Sequence, residues 1–299
     1  MKQTHKAAAA VILAGVFWGI ISIPVKAQAR IGLDAIQMSA IRMAVAAICF
    51  FLLIALTKPR LLKIRLRDCW IFLCTGFISV GMCNMLYSYT MLQSGAAISV
   101  VLMYTSPIFI MLMSALFFRE RITGRKALAL VLSIAGCVLV TGLIGSGNPI
   151  SFPVLLTGLG SGLAYALYTI FGRIALKKYD AVTVTVYTFI FGAIGLLPLA
   201  DLGGAVSLMQ ADPSLIAWCV GGSIFCAVVP YFLYTWGLQR MESGKAAILA
   251  CVEPLVGSVI GMTLWNESHE IGKLIGILLI LAAITLLSLQ QKTEKEEIR

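Results

Sequence analysis

Ten long apolar runs, separated by short polar connectors, make up almost the whole chain. Each run is close to the 20 or so apolar residues that carry an α-helix once across a bilayer. No connector is long enough to fold as a soluble domain. The pattern therefore predicts an all-α integral membrane protein with ten transmembrane helices. The runs occupy residues 7–29, 35–57, 69–91, 95–118, 127–145, 152–173, 181–200, 213–238, 246–265 and 271–290.

Composition favours a lipid environment over a soluble fold. Hydrophobic residues form 60% of the 299 positions and charged residues only 12%, and the mean hydropathy is +0.97. A soluble domain carries about a quarter charged residues, and this composition would leave large apolar patches in water. The net charge of +10 lies mainly in the connectors. We therefore expect contacts with membrane lipid headgroups and no nucleic-acid partner.

The placement of the basic residues predicts the orientation. With the N-terminus in the cytoplasm, nineteen of the 23 Lys and Arg residues fall on the cytoplasmic side, and only Lys26, Arg30 and Lys273 on the other. This bias follows the positive-inside rule. It predicts a multi-pass protein of the bacterial inner (plasma) membrane, with both termini cytoplasmic and an even number of spans.

The chain aligns with itself at an offset of 147 residues, which predicts two five-helix halves, residues 1–145 and 146–299. Five is an odd number of spans, so the second half would cross the membrane inverted relative to the first. Inverted repeats are a recurring plan of secondary transporters. The matched pairs are Gly15 and Gly162, Trp18 and Tyr165, Lys26 and Arg173, Tyr87 and Tyr234, Pro107 and Pro254, and Glu120 and Glu267.

Several short motifs resemble those of a known transporter family. The first half carries Ala14-Gly15-Val16-Phe17-Trp18-Gly19, then Tyr104-Thr105-Ser106-Pro107 followed by Arg119-Glu120-Arg121-Ile122. The second carries Val252-Glu253-Pro254-Leu255 followed by Trp265-Asn266-Glu267, and Arg42 fits the pattern as well. Over essentially its whole length the chain resembles the drug/metabolite transporter superfamily, in the EamA group of ten-helix carriers. The resemblance implies transport of amino acids, metabolites or drugs, and it is weak for the substrate.

Two charged residues lie well inside predicted spans, away from their ends. Glu253 is the only carboxylate there, and a charge at that depth is costly unless it is paired, hydrated or protonated. We predict that Glu253 binds substrate or a proton; a structural pair or cap at the neighbouring Pro254 is the alternative. Arg42 is the only cation well inside a span. We assign it a structural role, either held by carbonyls or a neighbouring helix or snorkelling outward. Binding of a carboxylate substrate or pairing with an acid is the alternative.

Aromatic and amide side chains complete the predicted site. A cavity among spans 1, 3, 4, 6, 8 and 9 would have apolar walls with a few polar tips. Helix packing or an interfacial aromatic belt is the alternative for each of these residues. Besides Glu253, the candidate substrate-binding residues are Trp18, Asn84, Tyr87, Tyr104, Tyr165, Tyr231 and Tyr234.

Pro107 and Pro254 occupy matching positions in spans four and nine. Each is predicted to bend its helix, either as a moving hinge or as a fixed kink. Small-residue pairs with GxxxG spacing predict close helix packing. The eight cysteines lie mostly in apolar runs and are interpreted as small packing residues. The glycine pairs are Gly15/Gly19, Gly158/Gly162, Gly257/Gly261 and Gly272/Gly276.

These features together predict a secondary transporter rather than an enzyme. We expect export of small metabolites such as amino acids, by alternating access at a central cavity. Protons are candidate coupling ions, and the protein is expected to be a monomer or a weak homo-oligomer. No phosphate-binding loop, metal-ligand spacing or catalytic cluster occurs, so no cofactor and no metal are expected. The alternatives are an intramembrane lipid- or metabolite-processing enzyme and a non-transporting scaffold.

Overall fold

The computed structural model is helical throughout the residues that it describes and contains no strand there. Seven of its helices are long and apolar enough to cross a membrane, and they coincide with predicted spans one to four and six to eight. The prediction of an all-helical membrane protein is therefore confirmed. The described residues are 2–94, 96–140, 151–264, 272, 275–283 and 286.

The α-helices follow one another with short connections. Three 3₁₀ turns, Pro59–Leu62, Leu66–Asp68 and Leu197–Leu199, extend or link them. In chain order the α-helices are α1 Lys2–Gly19, α2 Ser22–Ile31, α3 Ala35–Thr57, α4 Cys69–Leu73, α5 Met82–Ser94, α6 Ala96–Met103, α7 Ser106–Phe118, α8 Gly124–Val140, α9 Phe152–Ala175, α10 Ala181–Leu196, α11 Leu202–Ala211, α12 Ser214–Ser223, α13 Val229–Leu238, α14 Ser243–Ala250 and α15 Val252–Leu264.

Predicted spans five, nine and ten are not among the seven helices that are long and apolar enough to cross a membrane. Span five is the 17-residue helix α8, and span nine is divided between α14 and α15. Of span ten, residues 275–283 are helical, and much of the rest lies outside the described residues. The count of ten spans stays a prediction.

Two prolines interrupt their helices at matching positions. Pro107 and Pro254 have no N–H group to donate to the carbonyls four residues earlier, those of Met103 and Ala250. Helix α6 ends at Met103 and α14 at Ala250, and a short turn separates each from α7 or α15. The predicted bends are therefore helix breaks, again 147 residues apart. Their role as moving hinges stays a prediction.

Each break packs against a glycine in the first helix of the other half. A Cβ atom placed on Gly15 would lie 2.9 Å from the carbonyl oxygen of Ala250, and one on Gly162 would lie 3.1 Å from that of Met103. Only glycine lets the backbones approach this closely. The predicted close packing is confirmed for Gly15/Gly19 and Gly158/Gly162, whereas Gly257 and Gly272 have more space around them.

Spans three and eight each contain a wider, π-type helical segment. These segments are Cys74–Gly81, between α4 and α5, and Ile224–Val228, between α12 and α13. In the second segment, Pro230 cannot donate to the carbonyl of Cys226. Such segments are frequent at functional sites, because they rotate the side chains that follow relative to a regular α-helix.

The connector between spans seven and eight folds into a helix that the sequence analysis missed. Helix α11 is only ten residues long, and the Asp201 carboxylate accepts a hydrogen bond from the Gly204 amide at its start. Its Ala205 is buried in a small apolar cluster with Leu33 and Leu215. The helix is stabilised by this packing, which a hydropathy pattern does not reveal.

The outer surface of the bundle is apolar. Leu56 is 84% exposed, Leu116 75% and Ile194 63%. In a bilayer these side chains contact lipid chains, whereas in water they would form a large apolar patch. Inside the bundle, α1, α3, α10 and α13 enclose the largest apolar cluster, and this cluster forms one side of the cavity described next.

Candidate functional site

A cavity of about 100 Å³ lies in the centre of the bundle. This volume holds several water molecules or a small solute, since one water needs about 10–15 Å³ on the same measure. Its wall combines aromatic and apolar side chains with one carboxylate and one guanidinium. The lining residues are Trp18, Ile21, Ser39, Arg42, Met43, Cys83, Asn84, Tyr87, Met103, Tyr165, Phe189, Cys226, Ala227, Tyr231 and Glu253.

Irregular helix segments place many of these side chains. Trp18 and Ile21 flank the turn between α1 and α2, where Pro24 leaves the carbonyl of Ile20 without its usual donor. Asn84 follows the first π-type segment, and Glu253 is the second residue after the break in span nine. The helix interruptions therefore surround the cavity. Non-helical backbone at membrane depth is tolerated where it is buried in protein or lines a cavity.

Six of the eight predicted substrate-binding residues line this cavity. Tyr104 and Tyr234 do not, although both are buried next to it. Contact of any of these residues with substrate stays a prediction. The six that line the cavity are Trp18, Asn84, Tyr87, Tyr165, Tyr231 and Glu253.

Tyr234 supports the wall from behind. Its ring centroid lies 5.5 Å from that of Trp18, and its hydroxyl is 2.8 Å from Oγ1 of Thr169. The Tyr168 hydroxyl makes an equivalent contact with Oγ1 of Thr235, at 2.7 Å. These paired hydrogen bonds join α9 to α13 and satisfy hydroxyls that would otherwise be buried without partners.

The indole of Trp18 forms the aromatic face of the cavity. It packs edge-on against Tyr231 at a centroid distance of 5.1 Å and against Tyr165 at 6.3 Å. Phe189 of α10 meets the other side of Tyr231 at 5.1 Å. Edge-on contacts of this kind fix ring orientation. The cavity therefore has a rigid aromatic side.

Glu253 has no cationic partner within 4 Å among the described residues. The Tyr104 hydroxyl approaches its carboxyl group, but the geometry falls short of a hydrogen bond, so that hydroxyl has no partner within the described ranges. A structural ion pair, one of the two alternatives for Glu253 beside a cap at Pro254, is thus not found in this part of the chain. The carboxylate is left facing the cavity, where a ligand, water or a proton can neutralise it.

Arg42 also faces the cavity, together with Ser39 and Met43 from the same helix. The sequence predicts a structural role for Arg42 and a cavity without spans two and seven. In the structure, Arg42 of span two and Phe189 of span seven both line the cavity. The i, i+3, i+4 spacing of Ser39, Arg42 and Met43 was the available signal, since these positions share one helix face. Nothing in the sequence distinguished Phe189 from other core aromatics.

A second, smaller cavity adjoins the first on the side of α2 and α12. It shares Ile21, Arg42 and Cys226 with the central cavity. Gln28 lines it and donates a hydrogen bond to the carbonyl of Trp218, at 3.0 Å. The two cavities meet at Arg42. Helix α2 also carries Lys26 and Arg30, which are predicted to lie outside the cell, so the second cavity lies on the predicted outer side of the central one.

The opposite end of the bundle, predicted to be cytoplasmic, is held by Glu120. Its carboxylate accepts hydrogen bonds from the backbone amides of Ser243 at 3.0 Å and Gly244 at 3.4 Å, at the N-terminus of α14. It also pairs with Arg173 at 3.1 Å. A carboxylate at a helix N-terminus satisfies free amides and the helix dipole. Glu120 thereby joins the ends of spans four, six and nine.

A second ion cluster lies beside Glu120. Nζ of Lys126 is 2.6 Å from Oε2 of Glu242, and Nζ of Lys245 is 3.5 Å from the same atom. Burial alone raises the pKa of Glu242, but the two ammonium groups outweigh this effect and hold the pKa below its usual value. Within the described ranges, no group of three His, Cys, Asp or Glu side chains is placed to hold a metal ion.

A family comparison assigns the chain to a known group. The EamA-like transporter family model matches the chain twice, over residues 5–142 and 152–289. The chain belongs to the EamA-like transporter family. The two matched segments are offset by the same 147 residues as the helix breaks. The sequence-based assignment to this family is confirmed.

Relatives of similar length carry transporter names. An uncharacterized transporter of Archaeoglobus fulgidus is 26% identical over 268 residues, covering 90% of this chain and 93% of that protein. The uncharacterized transporter YvbV of Bacillus subtilis is 24% identical, covering 99% and 96%. The uncharacterized inner membrane transporter YicL of Salmonella typhimurium is 26% identical, covering 98% of each chain.

One solved crystal structure shares the fold, with a TM-score of 0.78, 14% sequence identity and coverage of 96% of this chain and 98% of that one. The family and the relatives make this protein a multi-pass membrane transporter rather than an enzyme. They also imply small-molecule substrates and a lipid environment.

Proposed function

We propose that this transporter is a secondary carrier that exports a small metabolite, such as an amino acid, by alternating access at the central cavity. The observation that carries the proposal is the position of Glu253. It is a carboxylate in the cavity wall, directly after a broken helix, and it has no cation within 4 Å among the described residues. Binding sites of secondary transporters typically lie at such broken helices between two repeats.

The two halves supply the symmetry that alternating access needs. The breaks at Met103 and Ala250 lie 147 residues apart, and each packs against the first helix of the other half, at Gly162 and Gly15. With the halves inverted, exchanging their conformations would close one side of the cavity and open the other. The Lys and Arg distribution favours cytoplasmic termini, and in that orientation the Glu120 contacts would hold the cytoplasmic side closed.

Glu253 would bind a cationic group of the substrate or a proton, and Trp18 and Tyr231 would contact the apolar part. Because one carboxylate serves both ligands, proton and substrate would compete for it. Coupling to protons follows if each occupies the site in turn. The export direction rests on the family alone.

Counterflow of labelled amino acids in proteoliposomes tests the proposal. We expect saturable flux for the wild-type protein, with a rate that changes with pH, and a low, pH-independent rate for Glu253→Gln. Asp180→Asn is a matched control, because Asp180 caps α10 away from the cavity and asparagine caps equally well. Flux in Glu253→Gln that matches wild type at every pH would remove Glu253 from the site. Absence of saturable flux for every metabolite tested would refute the carrier mechanism.

A further inference from the structure

Arg42 is a partly buried charge in the cavity wall that the transport role of Glu253 leaves unexplained. A guanidinium group stays protonated and presents five N–H donors. Among the described residues, Arg42 has no carboxylate within 4 Å and no hydrogen-bond acceptor. A cation at this depth is costly without such partners. Water or an anionic ligand must therefore satisfy it.

The polar neighbours of Arg42 do not supply a competing anion-binding group. The hydroxyl of Ser39 donates to the carbonyl of Ala35 at 2.8 Å, and that of Ser223 donates to the carbonyl of Cys219 at 2.6 Å. Their only hydrogen-bond donors are thus already engaged with the backbone. The guanidinium of Arg42 is the charged donor that remains at the meeting point of the two cavities.

Glu253 lies in the same cavity wall, yet no salt bridge joins it to Arg42. Cys226 also lines the wall and lies within electrostatic reach of both charges. Buried ions of opposite sign that serve structure alone are normally paired, because desolvation is otherwise uncompensated. Two separated, opposite charges around one small cavity instead match a ligand that carries both charges itself.

We propose that Arg42 binds the carboxylate of the substrate while Glu253 binds its ammonium group, so that the site selects small zwitterions over amines and carboxylic acids. This inference rests on the transport function proposed above and adds the rule by which the substrate is chosen. An Arg–carboxylate contact with two parallel N–H···O bonds gives directional selectivity as well as affinity. A molecule that lacks either group leaves one buried charge unpaired.

Three sets of matched compounds test this rule, each consisting of an amino acid, its amine and its acid. They are alanine, ethylamine and propionate; leucine, 3-methylbutylamine and 4-methylpentanoate; and phenylalanine, phenethylamine and 3-phenylpropionate. Competition with counterflow and ligand-induced thermal shifts of the full-length protein measure binding. In at least one set, we expect the amino acid to bind at least about tenfold more tightly than both the matched amine and the matched acid.

Substitution of Arg42 assigns the effect to this residue. We expect Arg42→Gln to weaken binding of the amino acid about tenfold or more while changing binding of the matched amine less than about threefold, and Arg42→Lys to retain part of the preference. Arg30→Gln is the control. Arg30 is an exposed cation on the neighbouring helix α2, so this substitution removes the same charge outside the cavity. It should leave the preference unchanged.

The outcomes separate this inference from the proposed function. If wild-type protein binds and carries the amine or the acid as well as the amino acid in all three sets, the zwitterion rule is wrong and the carrier proposal stands. If Arg42→Gln folds but keeps the wild-type preference, Arg42 is not the carboxylate-binding residue. If none of the nine compounds binds or is carried, the zwitterion rule as stated is wrong, and the carrier proposal is decided by the counterflow test described above. The wild-type comparison decides the rule even if Arg42→Gln fails to fold.

Discussion

Replacing Glu120 by glutamine removes the charge that joins three helix ends. The carboxylate accepts hydrogen bonds from the amides of Ser243 and Gly244 and pairs with Arg173, and its side chain is 8% exposed. Glutamine keeps the length and one acceptor oxygen but loses the ion pair and the second acceptor. The perturbation is therefore confined to electrostatics and hydrogen bonding.

The expected loss is about 2 kcal/mol in the free energy of unfolding. Breaking a fully buried ion pair costs about 3–5 kcal/mol, because it strands the other charge. Arg173 is not stranded: its side chain is 26% exposed, and Nη1 also donates to the Met241 carbonyl at 2.7 Å. The ion-pair loss therefore falls below that range, and weakening of the cap on α14 adds about 1 kcal/mol.

Denaturant-induced unfolding in detergent micelles, followed by tryptophan fluorescence, measures this loss. Glu120→Ala should cost about 1 kcal/mol more than Glu120→Gln, because it removes every acceptor. Arg125→Gln is the control, since Arg125 is an exposed charge in the first turn of α8, close to Glu120 in the chain, and its loss should change stability by less than about 0.5 kcal/mol. A loss for Glu120→Gln no larger than that of the control would refute the role of Glu120 as a cap and ion-pair partner.

Three further outcomes follow from the packing and the charges. Tyr234→Phe should cost about 1–2 kcal/mol in unfolding free energy, because it leaves Thr169 without its buried 2.8 Å partner. Gly162→Ala should lower the free energy of unfolding by about 1–3 kcal/mol, because the added Cβ atom would overpack the contact with the helix break. At Gly221 an added Cβ atom would have no other atom within 4 Å, so Gly221→Ala should be neutral or stabilising in the same assay. The pKa of Glu242 is lowered in the folded state, so its contribution is present above the usual glutamate pKa and is lost as pH falls through the folded value. Wild-type stability should thus decline more steeply below about pH 4 than that of Glu242→Gln.

The sequence predicted most of the polar and aromatic side chains that line the central cavity, but not the whole of its wall. Glu253 stood out because a carboxylate in an apolar run needs a reason, and Pro254 marked the break beside it. Tyr104 and Tyr234 were chosen by repeat position and spacing, yet they lie behind the wall. A difference of a few tens of degrees in helix rotation decides whether a side chain faces a cavity or a neighbouring helix, and periodicity alone does not resolve that angle.

Arg42 is the opposite case, because it lines the cavity although the sequence did not predict that it would. Its charge was visible in span two, but its surroundings were not. The sequence favoured a structural role in which carbonyls or a neighbouring helix hold the guanidinium, and no such hydrogen bond or ion pair of Arg42 is found among the described residues. The π-type segments and the helix α11 were equally invisible. Each depends on contacts between segments far apart in the chain, such as the packing of Ala205 against Leu33.

The hydropathy pattern by itself determined that this chain is an all-helical membrane protein, because in lipid each helix satisfies its own backbone hydrogen bonds regardless of its neighbours. The offset of 147 residues likewise predicted where both helices break, since each proline acts on its own helix. Only the tertiary structure placed Arg42 and Glu253 around one cavity and Gly15 against the carbonyl of Ala250. Those relations depend on how helices rotate and cross, which packing between both halves decides.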